Sequence, residues 1–188
     1  MLEVKTFGAD EPMGSLLKPL PLELPGATVT PVSLSHHSAD LNPKRESESM
    51  PCCAGYILEL PRVKVALLWD LDATNLWLEK PGSAQEAALE RLHAADHVFF
   101  DSNTWAYQTD RNGRPASHAS FGLVQRFART LEPKHTWLTH LSGHEDERGA
   151  GFGWTDDQWR DHALHVWQSE GLPGQVSVPS IGQRIELG

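Results

Sequence analysis

An α/β layered domain is the fold class this sequence predicts, and three observations predict it. Early β-branched runs are joined by tight turns, as in antiparallel hairpins. Later apolar runs alternate with helical periods, as in strand–helix–strand units. The chain has 188 residues, 39% of them hydrophobic, enough for one real hydrophobic core.

The elements follow in order. Residues 1–25 are spaced by Pro12, Pro19, Pro21 and Pro25, and their leucines have no helical period, which predicts an extended entry or a β-edge segment. Thr28 to Leu34 alternates with β-branched residues and reads as a strand ending on Ser35-His36-His37. Residues 39–51 are polar and charged and predict a flexible loop. Ala54 to Leu60 is the next strand, and Pro61-Arg62 turns the chain. Val63 to Trp69 is almost continuously apolar, which predicts a strand buried on both faces, with Asp70 and Asp72 after it.

Ser83 to His93 places Ala84, Ala87, Ala88, Leu89 and Leu92 against Glu86 and Glu90, a helix N-capped at Ser83. Asp96 to Asp101 is a short buried strand, and residues 102–116 are loop. Ala119 to Leu131 is an amphipathic helix with Phe121, Leu123, Val124 and Phe127 inward, and Thr136 to Leu138 is a strand. Residues 143–157 are rich in Gly and Asp. The pattern Thr155-Asp156-Asp157-Gln158 opens a last helix by a capping box, and Gly171-Leu172-Pro173-Gly174 stops it. Val176 to Val178 and Ile185 to Leu187 predict a terminal strand or hairpin.

Composition narrows the partners. A net charge of −9 repels phosphate backbones, so nonspecific binding to nucleic acid or an anionic membrane is disfavoured. The two cysteines, Cys52 and Cys53, are adjacent, which suits no disulfide framework and points to a reducing cytoplasm. No apolar run approaches the ~20 residues of a membrane span, and the first residues lack a signal-peptide pattern.

Chemistry concentrates at strand ends, where a rigid scaffold holds polar side chains. His36 (or its neighbour His37) follows one strand. His140 follows another, with Thr139 and Ser142 placed to orient its ring and His144 on the loop beyond. Asp72 (or Asp70) ends an apolar strand, where a buried carboxylate needs a cation, backbone N–H groups or an arginine; a helix cap is the competing use. His118 opens a helix after a Pro-Ala-Ser loop and suits a general acid or a substrate-orienting imidazole, against an ordinary helix-start histidine. Of seven tryptophans, Trp105 and Trp154 lie on loops near His118 and His144 and are the candidates for substrate contact, with core packing the commoner use of such residues.

The order His36, Gly55-Tyr56-Ile57, Asp72-Ala73-Thr74, Ser117-His118-Ala119-Ser120 and Leu138-Thr139-His140-Leu141-Ser142 resembles the metallo-β-lactamase fold hydrolases. Within them it is most similar to the cyclic-phosphodiesterase branch of phosphonate breakdown, and more distantly to tRNA 3′-processing endonucleases. The resemblance runs from about residue 27 to the end, where Val178-Pro179-Ser180-Ile181-Gly182 resembles the family's terminal strand entry. It implies a four-layer αββα sandwich with metal ions, Zn or Mn, at its loop edge. In that family's terms His36 binds one ion, Asp72 bridges two, His140 binds the other and His118 assists the scissile phosphate. The family's His-x-His-x-Asp-His motif is absent, so the expected domain lacks its N-terminal strands and holds an incomplete ligand set for one or two ions. The expected function is hydrolysis of a small phosphodiester or ester. The alternatives are a non-catalytic interaction module, forming homo-oligomers or pairing through an exposed sheet edge, and an RNA-processing nuclease.

Overall fold

The structure, a computed structural model, describes residues 12–36, 50–106, 109, 113, 115–141 and 153–186. Seven strands form one mixed sheet in the order β1-β2-β3-β4-β5-β6-β7: β1 (Leu20–Pro21), β2 (Thr28–His36), β3 (Met50–Glu59), β4 (Lys64–Leu68), β5 (His97–Asp101), β6 (His135–Thr139) and β7 (Gln175–Ser177). The first four are antiparallel neighbours, and β4 to β7 are parallel. Three helices bridge the parallel strands: α1 (Glu86–Leu92), α2 (Phe121–Leu131) and α3 (Asp156–Ser169).

Strand order and chain order coincide, so every crossover moves the same way along the sheet. Right-handed crossovers that all move the same way put all their helices on one face. The core confirms this. Val32, Ile57, Leu68, Phe100, Leu138 and Val176 from the strands are buried with Leu92 of α1, Phe127 of α2 and Trp159 of α3. One sheet with helices on one face accounts for the described residues. This is an α/β arrangement as expected, with half the layers of an αββα sandwich.

Packing explains several local details. Gly55 sits in β3 between two large neighbours, where a Cβ would meet Leu68 Cδ2 at 2.7 Å and Leu34 Cδ1 at 3.0 Å. Helix α2 is capped by Ser120, whose Oγ accepts from Leu123 N, and α3 opens with the complete Thr155–Gln158 capping box.

Three expectations are corrected. Helix α1 starts at Glu86 rather than at Ser83, because Gln85 is drawn off the helix by Gly82 N and by Met13 O. The loop expected to run to residue 51 ends earlier: β2 continues through His36 and offers partners to Met50 and Pro51 beyond an irregularity at Leu34/Ser35. The rest of that loop, residues 39–49, lies outside the described residues. At the C-terminus β7 pairs in parallel with β6, but residues 178–186 form no strand, so there is no terminal hairpin as far as Glu186.

Candidate metal centre

Strands β2, β4, β5 and β6 all run in one direction, since β3 reverses once on each side. Their C-terminal ends therefore share one edge of the sheet, the usual place for chemistry in such sheets. His36 ends β2, Asp70 follows β4, Asp101 ends β5 and His140 follows β6. His118 joins them from the turn before α2, held there because Ala119 N donates to Leu71 O and Ser120 caps the helix.

Asp70, Asp101, His118 and His140 each offer one donor atom, and the four atoms lie within 4.8 Å of one another. His118 Nδ1 is 2.8 Å from Asp101 Oδ2 and 3.7 Å from Asp70 Oδ1. His140 Nδ1 is 3.6 Å from Asp101 Oδ2 and 3.9 Å from Asp70 Oδ1. His36 stands behind this group, its Nε2 2.9 Å from Asp70 Oδ1. The His118 and His140 rings meet edge to face with centroids 4.4 Å apart.

Asp101 is the anchor. It is fully buried, and its carboxylate accepts from Leu71 N and Asn103 N as well as facing His118. Backbone N–H donors lower the cost of burying that charge. Asp101 also acts on His140: its carboxylate, 3.6 Å from Nδ1, raises the His140 pKa above its ordinary 6.5, and partial burial opposes the rise. His140 has a left-handed backbone, with φ of 58°, and Asn103 Nδ2 donates to its carbonyl to hold the turn. For a residue with a Cβ that conformation costs roughly 1 kcal/mol and is often found at functional positions.

The sequence-predicted residues separate here. His118 and His140 are in the cluster, and His36 touches it through Asp70. Asp72 is not in it. Its buried carboxylate accepts from Ser35 Oγ at 2.9 Å, Thr74 N at 2.8 Å and Thr74 Oγ1 at 2.6 Å, tying the end of β2 to the turn after β4. Asp70 takes the place beside the histidines. The two aspartates would share a face only in an extended strand, but β4 ends at Leu68 and buried Leu71 anchors the turn between them.

Sequence reasoning missed Asp101, although the same signal that singled out Asp72 applies to it: a carboxylate ending a buried apolar strand. Trp105 and Trp154 come together, but in an aromatic cluster with Phe121, Trp159 and His162 that packs on the core. His37, Ser142 and His144 lie outside the described residues.

The donor set fits a divalent ion. Two carboxylates and two imidazoles are ordinary ligands for Zn or Mn. Ligand bonds of ~2.1 Å need donors no more than ~4.2 Å apart; the four carboxylate–imidazole pairs meet that limit, and the whole set lies within 4.8 Å.

No protein-family model and no curated protein matches the chain. Solved structures do. The metallo-β-lactamase fold protein YhfI from Bacillus subtilis matches with a TM-score of 0.53 and 18% identity over 94% of this chain and 53% of its own. The isothiocyanate hydrolase from Delia radicum gut bacteria matches with a TM-score of 0.56 and 11% identity, over 92% and 59%. Igni18, a metallo hydrolase from Ignicoccus hospitalis, matches with a TM-score of 0.50 and 13% identity, over 89% and 57%. The chain therefore matches about half of a metallo-β-lactamase fold protein, and it spans a little over half the length of each of these structures.

Proposed function

We infer that Asp70, Asp101, His118 and His140 hold a divalent metal ion, Zn or Mn, and that the chain is the metal-binding half of a hydrolase. The observation that carries this reading is the convergence of four donor atoms, from four separate segments of the chain, within 4.8 Å at one sheet edge. A cation there offsets the repulsion between two carboxylates, one of them fully buried.

Each residue has a task in this reading. Asp101 is fixed by backbone N–H groups and so presents its free lone pairs in a set direction. His36 orients Asp70 through its 2.9 Å contact. His118 turns Nδ1 toward the cluster, which leaves Nε2–H to donate a hydrogen bond to a substrate oxygen. A bound divalent ion supplies a water of lowered pKa and charge neutralisation for a phosphate or carbonyl oxygen. The net charge of −9 favours a small phosphodiester or ester over a polyanion such as RNA. Two adjacent cysteines, unsuited to a disulfide framework, favour a reducing cytoplasm. Among the described residues no helix is long and apolar enough to cross a membrane.

A second reading is a non-catalytic module. It is favoured by the pairing of the donors with each other, since His118–Asp101 and His36–Asp70 contacts hold the network together. One experiment separates the two. Purified protein is loaded with Zn or Mn, its metal content measured by plasma mass spectrometry, and a chromogenic phosphodiester and an ester are offered. Stoichiometric metal with metal-dependent turnover supports the hydrolase. Bound metal without turnover supports the module, and no bound metal refutes the metal centre itself.

A further inference from the structure

A cleft of about 460 Å³ opens between the turn after β4, the single helical turn Leu76–Leu78, the loop before His118 and helix α2. That is the volume of an ordinary small-molecule site. Hydrogen bonds fix its walls: Ala73 N donates to Ala116 O at 3.1 Å, and Thr109 forms an antiparallel bridge with Pro115. The cleft shares no residue with the metal cluster. It lies close by, however. Ala73 and Pro115 each stand three residues from a donor of that cluster, Asp70 and His118. Three residues of chain span at most ~11 Å.

We propose that this cleft binds a small amphiphilic anion, a carboxylate or a phosphate monoester with a short apolar body. The proposal does not depend on the metal centre.

The charges of the cleft select an anion. Lys80 and Arg126 line it with one acid, Glu79, so the two cations leave a surplus of one positive charge in a chain of net −9. An anion approaching such a chain meets attraction at this place. Glu79 does not satisfy both cations. Its Oε2 is 3.1 Å from Arg126 Nε and its Oε1 is 3.9 Å from Lys80 Nζ. The Nε–H of Arg126 is buried and is not aligned on Glu79 as a hydrogen bond. Among the described residues no acceptor is bonded to the terminal nitrogens of that guanidinium. An open guanidinium fork is a common partner of carboxylate and phosphate groups. Lys80, its side chain 83% exposed, adds a second, movable point charge. One surplus charge suits a single anionic group rather than a polyanion.

The rest of the lining selects an apolar body. Leu76 is 45% exposed, and with Ala73 and Pro115 it gives the cleft an apolar wall. A bare anion leaves that wall in water, and a short alkyl chain covers it.

NMR titration of the intact chain without added metal, at constant ionic strength, tests this with butyl phosphate, hexanoate, inorganic phosphate and hexanol. Butyl phosphate or hexanoate should shift the amides of Thr74, Leu76 and Arg126 saturably, and the tighter of the two identifies the head group. Inorganic phosphate should bind at least ~3-fold more weakly than butyl phosphate, because it leaves the apolar wall uncovered. Lys80→Gln and, separately, Arg126→Gln should weaken binding at least ~5-fold. Glu79→Gln removes the competing acid and should tighten binding several-fold. Arg129→Gln, on the same helix but paired with Glu170, should leave it unchanged. The absence of a saturable shift with either organic anion overturns the proposal. So do shifts confined to the amides of Asp101 and His140, hexanol binding as tightly as hexanoate, or binding that neither Lys80→Gln nor Glu79→Gln alters.

Discussion

Replacing Asp70 and Asp72 in turn by Asn separates the site from the scaffold. Asp72 is 1% exposed, and its carboxylate accepts three hydrogen bonds at 2.6–2.9 Å from Ser35 and Thr74. An asparagine keeps one acceptor oxygen and turns the other toward its neighbours as an NH₂ donor. Losing charge-assisted bonds at a buried group costs about 1–3 kcal/mol, and at ~2–4 °C per kcal/mol the melting midpoint falls by roughly 2–12 °C. The Asp70 side chain is 40% exposed, and its carboxylate faces His36 and the cluster's His118 and His140. Its replacement should move stability by less than ~0.5 kcal/mol yet weaken metal binding by more than ~10-fold, since even outer partners of a ligand cost that much. Thermal melts of the metal-free proteins and calorimetric titration with Zn measure both quantities. If Asp72→Asn abolishes metal uptake at unchanged stability, while Asp70→Asn binds like the wild type, the assignment of the two carboxylates is wrong.

Three further outcomes follow from the geometry. Asp101→Asn should remove metal binding and also return the His140 pKa toward 6.5, because the Asp101 carboxylate is the largest cause of its rise; NMR titration of the His140 ring in metal-free protein reads this, and an unmoved titration would count against it. Burial and the nearby His97 lower the His135 pKa below 6.5, so the unfolded chain binds more protons there; the stability gained above pH 6.5 is lost as pH falls toward the folded value, and His135→Gln should flatten that loss in urea melts between neutral and mildly acid pH. Gly174→Ala should destabilise the chain strongly, by more than the ~1 kcal/mol typical of a point substitution, because φ is +63° and a Cβ would stand 2.2 Å from Pro133 O; a midpoint within error of wild type would refute that packing.

The legible part of this protein is the part governed by local periodicity. The β-branched alternation of Thr28–Leu34, the amphipathic stripe of Phe121–Leu131 and the Thr155–Gln158 capping box each specify an element from neighbours a few residues apart, and each appears where expected. The places of His118 and His140 in the donor cluster were legible because each stands beside a strong element boundary. The helix start at Glu86 was not legible, because Met13, far away in sequence, captures Gln85.

The sequence by itself determined the alternation of strands and helices, and with it the sheet edge on which polar side chains gather. That follows from burial: each apolar run must enter the core, and its polar successor emerges at the edge. Only the tertiary structure decided which carboxylates meet the histidines. Asp70 rather than Asp72 joins them because Leu71, buried and hydrogen-bonded to Asp101 and Ala119, turns the chain after β4. Asp101 enters because β5 lies between β4 and β6, a neighbour relation that local sequence spacing does not encode.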